Sequence, residues 1–62
     1  MNKPSCKLIG EDGNVFNLIG RVKQTLVRDG QRDRANEFVA KAMKQKSYDD
    51  VLCLIQNYVE VE

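Results

Sequence analysis

The sequence predicts a small α+β protein with the order β-α-α-α-β, in which three helices pack together and the N- and C-terminal segments form a two-stranded ribbon. Two observations support this prediction. Apolar residues recur at spacings of three and four in three successive segments, and they alternate with polar residues near both ends of the chain. Because the chain has only 62 residues, a single domain over positions 1–62 is predicted.

The rest of the chain is predicted to pack around a first helix at Val15–Val27. Its apolar stripe consists of Val15, Leu18, Ile19, Val22 and Leu26. Asp12 or Asn14 is expected to cap its start, because either side chain can accept a hydrogen bond from a free amide of the first turn. Gly30 is expected to close the other end, where glycine adopts a positive φ without steric cost.

Gly20 lies in the middle of this helix, where glycine costs about 1 kcal/mol relative to alanine. It falls on a flank of the apolar stripe, so the sequence predicts that another backbone approaches it closely. Packing within the fold is the favoured explanation, and contact across a dimer is the alternative.

Two further helices are predicted, one at Arg32–Lys46 and one starting at Ser47. The apolar positions of the second helix are Ala35, Phe38, Val39, Ala42 and Met43. Those of the third are Val51, Leu52, Leu54, Ile55 and Tyr58. The third begins with Ser47-Tyr48-Asp49-Asp50, which resembles a capping box. The short connection after the first helix predicts a helical hairpin.

Short strands are predicted at Ser5–Gly10 and Tyr58–Glu62, where apolar and polar residues alternate. Two such strands are rarely stable alone, so they should pair with each other. The three intervening helices favour parallel pairing, but steep crossings between the helices would reverse it. Lys7 would then lie opposite Glu60 or Glu62. Charged residues at the ribbon's open edges either prevent a strand of another chain from pairing there or set the register of a dimer.

The composition argues against catalysis and metal binding. With two cysteines and no histidine, the chain lacks the ligands of a structural zinc site and the usual general base near neutral pH. Adjacent carboxylates at Glu11-Asp12 and Asp49-Asp50 are expected to serve as helix caps. We therefore predict a protein that is not an enzyme, with no catalytic residue, metal or cofactor.

The location of the protein is predicted from what the N-terminal region lacks. No signal peptide is recognisable, and no apolar segment approaches the roughly 20 residues that span a membrane. We expect a soluble cytoplasmic protein in which Cys6 and Cys53 are plain thiols. Cys53 faces away from the apolar side of its helix, which makes it the candidate for a reactive thiol.

Charge is distributed unevenly along the chain. Residues 15–46 carry eight basic and three acidic side chains, a net charge of +5, whereas residues 47–62 carry four acidic side chains and no basic one. The basic residues on the predicted outer faces of the first two helices are Arg21, Arg28, Arg34, Lys41 and Lys44. They are interpreted as a solvated surface, with nucleic acid or an acidic protein partner as the alternatives.

Most of the chain resembles a group of small bacterial proteins. The resemblance is carried by Lys7-Leu8-Ile9-Gly10-Glu11-Asp12-Gly13-Asn14-Val15-Phe16, by Leu18-Ile19-Gly20-Arg21-Val22, and by the ending Tyr58-Val59-Glu60-Val61-Glu62. Proteins of that group occur on phages and other mobile elements of Gram-positive bacteria and have no assigned biochemical activity. The resemblance implies a bacterial, cytoplasmic, stand-alone domain and supplies no site residues.

The expected function follows from the small size of the core. A chain this short buries only about 60% of the surface that its unfolded form exposes, so a homodimer would extend the core. We expect a non-enzymatic protein that acts by contact with an unknown protein partner or with a second copy. The alternative is a nucleic-acid-binding accessory protein that uses the basic faces of the first two helices.

Overall fold

A computed structural model describes residues 3–8 and 14–62 of the chain. The elements follow the predicted order, and they are β1 (Ser5–Cys6), α1 (Val15–Arg28), α2 (Arg32–Ala42), α3 (Tyr48–Gln56) and β2 (Glu60–Val61). The two strands form a parallel two-stranded sheet, as predicted. None of the helices in the described residues is both long enough and apolar enough to cross a membrane.

Both ends of α1 are set by residues identified in the sequence. The amide of Phe16 donates to Asn14 Oδ1 at 2.9 Å, so Asn14 is the cap, and Asp12 lies outside the described residues. At the other end Gly30 has a φ of +78°. The amide of Gly30 donates to the Val27 carbonyl and that of Gln31 donates to the Leu26 carbonyl, which is the Schellman arrangement of a helix end.

The second helix ends earlier than predicted, at Ala42 instead of Lys46. After Ala42 the backbone tightens, because the amides of Lys44 and Gln45 donate to carbonyls three residues back, at 3.1 Å each. Ser47 is then extended, with φ −144° and ψ 161°. Because α2 ends at Ala42, residues 43–47 can turn the chain toward α3.

The capping prediction for the third helix is confirmed. Ser47 Oγ accepts a hydrogen bond from the amide of Asp50 at 3.1 Å, and α3 starts at the next residue. Val51 and Ile55 are buried, and Leu52 and Leu54 are partly buried against the core.

The strands are shorter than predicted, but their hydrogen bonds extend beyond them. The amides of Tyr58 and Val59 still donate to the carbonyl of Ile55, so β2 begins only at Glu60. Glu62 bonds to Cys6 through its amide and to Leu8 through its carbonyl, which places Lys7 opposite Glu62. Ile9 and Gly10, at the end of the first predicted strand, lie outside the described residues.

The core is formed by apolar side chains from β1, from the three helices and from the short segments beside the two strands; both residues of β2 are exposed. Its buried members are Cys6, Leu8, Leu18, Ile19, Val22, Leu26, Ala35, Phe38, Ala42, Val51, Ile55, Tyr58 and Val59. Phe38 is the largest of the fully buried side chains. Met43, predicted to belong to this core, is exposed: it is the C-cap of α2, and Ala42 is the last residue of this helix that the core covers.

The favoured explanation for Gly20 is wrong. Gly20 is exposed, and a Cβ atom built on it would meet none of the described residues within 4 Å. No backbone of the described fold therefore requires a glycine there. The alternative, contact across a dimer, remains a prediction.

Phe38→Ala is expected to reduce the free energy of unfolding by about 3–5 kcal/mol, because it removes a fully buried ring at the centre of the core. Such a loss approaches the total stability expected for a chain of this size. Urea unfolding followed by circular dichroism measures it. As a control, Gln24→Ala on the exposed side of α1 should change the stability by less than about 0.5 kcal/mol. Equal losses for the two variants would contradict the assigned core.

Candidate interaction surface

The five basic residues predicted to form a contact surface have different environments. Arg21 and Arg28 are exposed on α1, and Lys41 is exposed on α2. Lys44 is exposed in the turn after α2 and not on the helix itself, because α2 ends at Ala42. Arg34 is half-buried, which contradicts its assignment to an outer face.

Arg34 is half-buried because it joins α2 to the end of α3. Its guanidinium carbon lies 4.7 Å from the centre of the Tyr58 ring. Nη2 donates to the Asn57 carbonyl at 3.3 Å, and Nη1 donates to Gln31 Oε1 at 3.4 Å. A cation above an aromatic face is an attractive arrangement, and here it lies within the fold. Arg34 is thus a structural residue, and its charge is not fully available to a partner.

Tyr58 is the centre of this contact. Its ring packs edge-on against Phe38, with ring centres 5.3 Å apart and planes at 64°. Its hydroxyl donates to the Glu37 carboxylate at 2.5 Å. Burial, together with this hydrogen bond to a negative group, raises the pKa of Tyr58 to about 12. The same bond, followed by the charge of Lys41, lowers the pKa of Glu37.

Sequence reasoning missed the Arg34–Glu37–Tyr58 contact. From the sequence, Tyr58 is assigned only to the apolar face of the third helix and to the start of the second strand, and Arg34 only to a basic outer face. Arg34 and Glu37 stand three residues apart on α2, a spacing that places them on one side of the helix. This spacing indicates that Arg34 and Glu37 can share a partner. It does not indicate that the partner is Tyr58, which lies more than 20 residues away along the chain.

A groove at the other end of α3 is lined mainly by apolar side chains. It has a volume of about 280 Å³. Its lining comes from the start of α1, the turn between α2 and α3, and the start of α3, namely Val15, Phe16, Ile19, Ala42, Met43, Gln45, Lys46, Ser47, Tyr48 and Val51. We call this surface the groove face.

Three large side chains of the groove face are strongly exposed. Phe16 is 64% exposed, Met43 is 59% exposed and Tyr48 is 43% exposed. Phe16 lies off the apolar stripe of α1, and Met43 stands just after Ala42, the last buried residue of α2. The position of Phe16 off the stripe can be seen in the sequence, but the exposure of Met43 depends on how far the core extends along α2.

Charges of both signs flank the groove face along one stretch of chain. Lys44 and Lys46 precede Tyr48, and Asp49 and Asp50 follow it. All four side chains are exposed, and Lys46 itself lines the groove. The exposed rim beside the groove therefore changes from basic to acidic along this stretch of chain.

The two cysteines differ in accessibility, and neither is in a disulfide. Cys53 is exposed on α3, as predicted. Cys6 is buried in β1, where its sulfur accepts a hydrogen bond from Thr25 Oγ1 at 3.3 Å. Among the described residues, no three histidine, cysteine, aspartate or glutamate side chains are arranged to hold a metal ion.

Comparisons of the chain with protein-family models, with curated proteins and with solved structures found no match. The resemblance to a group of small bacterial proteins therefore stays a prediction.

Tyr58→Phe is expected to destabilise the fold near neutral pH, because it removes the hydroxyl and keeps the ring. Since the folded pKa of Glu37 lies below its ordinary value of 4.5, the bond's contribution is present above pH 4.5 and is lost as the pH falls through the lowered value. Since the pKa of Tyr58 is raised from 10.0 to about 12, the contribution is full below pH 10 and is lost as the pH rises toward 12.

Urea unfolding of both proteins across this pH range tests the prediction. The difference in stability between wild type and Tyr58→Phe should be largest between pH 4.5 and pH 10 and should shrink on both sides of that window. A difference that stays constant at every pH would show that the hydroxyl makes no titrating contact.

Cys53 should react with a thiol reagent in the folded protein, whereas Cys6 should react only when the protein unfolds. Ellman's reagent counts the thiols that react in the folded protein, and in urea it counts those that react after unfolding. The variant Cys53→Ser shows whether the thiol that reacts in the folded protein is Cys53. Equal rates for both thiols under native conditions would contradict the burial of Cys6. A rate for Cys53 no faster than that of free cysteine would remove the hypothesis of a reactive thiol.

Proposed function

We propose that this chain is a non-enzymatic protein that acts by protein–protein contact through the groove face. The observation that supports this proposal is the exposure of Phe16, Met43 and Tyr48 around one groove. Scattered exposed apolar residues are ordinary on a protein surface, but a contiguous group beside a concave site is typical of an interaction surface.

The core does not account for these side chains. Phe38, Leu26 and Ile55 are fully buried, whereas most of the surface of Phe16 and Met43 remains in contact with water. Each square ångström of apolar surface that a partner removes from water would contribute about 25 cal/mol to binding. Aromatic residues and methionine are also enriched in the centres of protein interfaces. The groove face thus has the composition that a protein partner would use.

Nucleic-acid binding through Arg21, Arg28, Arg34, Lys41 and Lys44 is the alternative. The contact of Arg34 with Tyr58 weakens it, because that charge is partly used within the fold. The groove face is also flanked by Asp49 and Asp50, which would repel phosphates. A gel-shift assay with random duplex DNA and with RNA at about 50 mM salt separates the two functions, because phosphate contacts weaken steeply as salt is added.

The proposal predicts that the groove face determines which proteins bind. Tagged wild-type protein and a Phe16→Ser/Met43→Ser variant are each used to capture proteins from cells of the source organism. The variant should lose partners that the wild type retains, because two large apolar contacts are replaced by small polar groups. Circular dichroism should show an unchanged fold, since both residues are exposed.

Gln24→Ser/Asn36→Ser is the matched control, with one exposed residue on α1 and one on α2, both outside the groove face. It should capture the same proteins as the wild type. If the groove variant and the wild type capture the same set, the groove face is not the interaction surface.

A further inference from the structure

We infer that the groove face docks on a second copy of this chain, so that two copies bind around a twofold axis. This inference rests on the proposed function of the groove face and names the partner. It is carried by the order of exposed charges along the rim of the groove, together with the apolar side chains that line it.

One wall of the groove is formed by the stretch from Met43 to Tyr48, and of the charged residues here only Lys46 lines the groove itself. Lys44, Asp49 and Asp50 are exposed next to lining residues of this stretch and of the start of α3. Phe16 and Met43 are exposed in the same groove. The rim along this wall is therefore basic before Tyr48 and acidic after it, with large apolar groups beside it.

A twofold axis through such a wall reverses its direction in the second copy. In an interface of this kind the same patch is used by both copies, and it must be complementary to itself. Lys44 and Lys46 of each copy then face Asp49 and Asp50 of the other, twice, while the apolar side chains meet at the centre. Opposite charges would face each other on both sides of the axis.

Other occupants match this pattern less well. An acidic peptide would be attracted to the lysines and repelled by Asp49 and Asp50 beside them. A nucleic acid would meet the same repulsion through its phosphates. A second copy presents both signs in the reversed order, so no like charges need be placed together.

The size of the chain suits a modest interface. A stable interface buries about 800 Å² on each partner. The total accessible surface of the described chain is 4328 Å², so this would be about a fifth of it. A contact centred on three large side chains is expected at or below that size, with a dissociation constant of about micromolar or weaker.

Sedimentation of the purified full chain from about 1 µM to about 1 mM tests the inference, over the range where modest interfaces dissociate. A reductant is kept present so that disulfides through exposed Cys53 do not contribute. The mass should rise from 7.1 kDa toward twice that value. Phe16→Ser should weaken self-association about tenfold or more, and the control Gln24→Ser should leave it unchanged.

A charge-reversal pair tests the twofold arrangement itself. Lys46→Glu places like charges together on both sides of the axis, and so does Asp49→Lys, so each variant alone should self-associate about tenfold less tightly or worse. Mixed in equal amounts, the two variants should form a heterodimer. Glu at 46 of one copy then faces Lys at 49 of the other, and the native Asp49 faces the native Lys46.

Circular dichroism of each variant confirms its fold before sedimentation. Asp49 stands in the first turn of α3, whereas Lys46 lies between helices, so Lys46→Glu tests the contact without changing a helix end. If Asp49→Lys does not fold, Asp50→Lys takes its place in the mixing experiment.

Two outcomes would overturn the inference. One is a chain that stays monomeric to the highest concentration, and the other is a dimer that Lys46→Glu leaves unchanged. Capture of a different protein through an intact groove face, by a chain that stays monomeric, would overturn self-association and leave the proposed function standing.

Discussion

The contact of Tyr58 with α2 is the constraint on which the arrangement of the two chain ends depends. The ring packs on Phe38, lies beneath Arg34 and bonds to Glu37 through its hydroxyl. Val59, the next residue, is also buried in the core. Together these contacts fix where the chain leaves α3, and β2 begins directly afterwards, in position to pair with β1.

A sheet of two short parallel strands needs such support. Its ladder alone is too short to be stable, because few backbone hydrogen bonds oppose the loss of conformational entropy. The described structure adds contacts around it. Lys3 Nζ donates to the carbonyl of Gln56 at 2.9 Å, and Thr25 Oγ1 donates to the sulfur of Cys6 at 3.3 Å. The ribbon is thereby joined to α3 on one side and to α1 on the other.

At the opposite end of α3, large apolar side chains remain outside the small core. The core covers α2 only as far as Ala42, and Met43 after it is exposed in the groove that Phe16 and Tyr48 also line. The two ends of α3 thus differ in chemistry. Tyr58, after its last residue, is enclosed by α2, whereas Tyr48, its first residue, lines an open groove. The proposed contact with a second copy would cover the end that the fold itself leaves open.

The sequence alone determined the features that depend on local chemistry. Asn14, Gly30 and Ser47 mark helix ends because the hydrogen bonds and backbone angles they provide are satisfied within a few residues. The stripe through Leu18, Ile19, Val22 and Leu26 is buried because helical periodicity places these residues on one side. The order of elements followed from the same local patterns. The three intervening helices favoured parallel pairing of the strands, but the direction depends on how steeply the helices cross, and the structure shows it to be parallel.

Only the tertiary structure decided the features that depend on distant residues. The sequence does not distinguish Arg34 from other surface cations. Arg34 is half-buried because Asn57 and Tyr58, which follow α3, contact its side chain. Met43 continues the period of α2, and its amide still bonds to the Val39 carbonyl, yet its side chain is exposed. Local spacing places a residue on one face of a helix, but only the packed structure shows whether another element covers that face at that point.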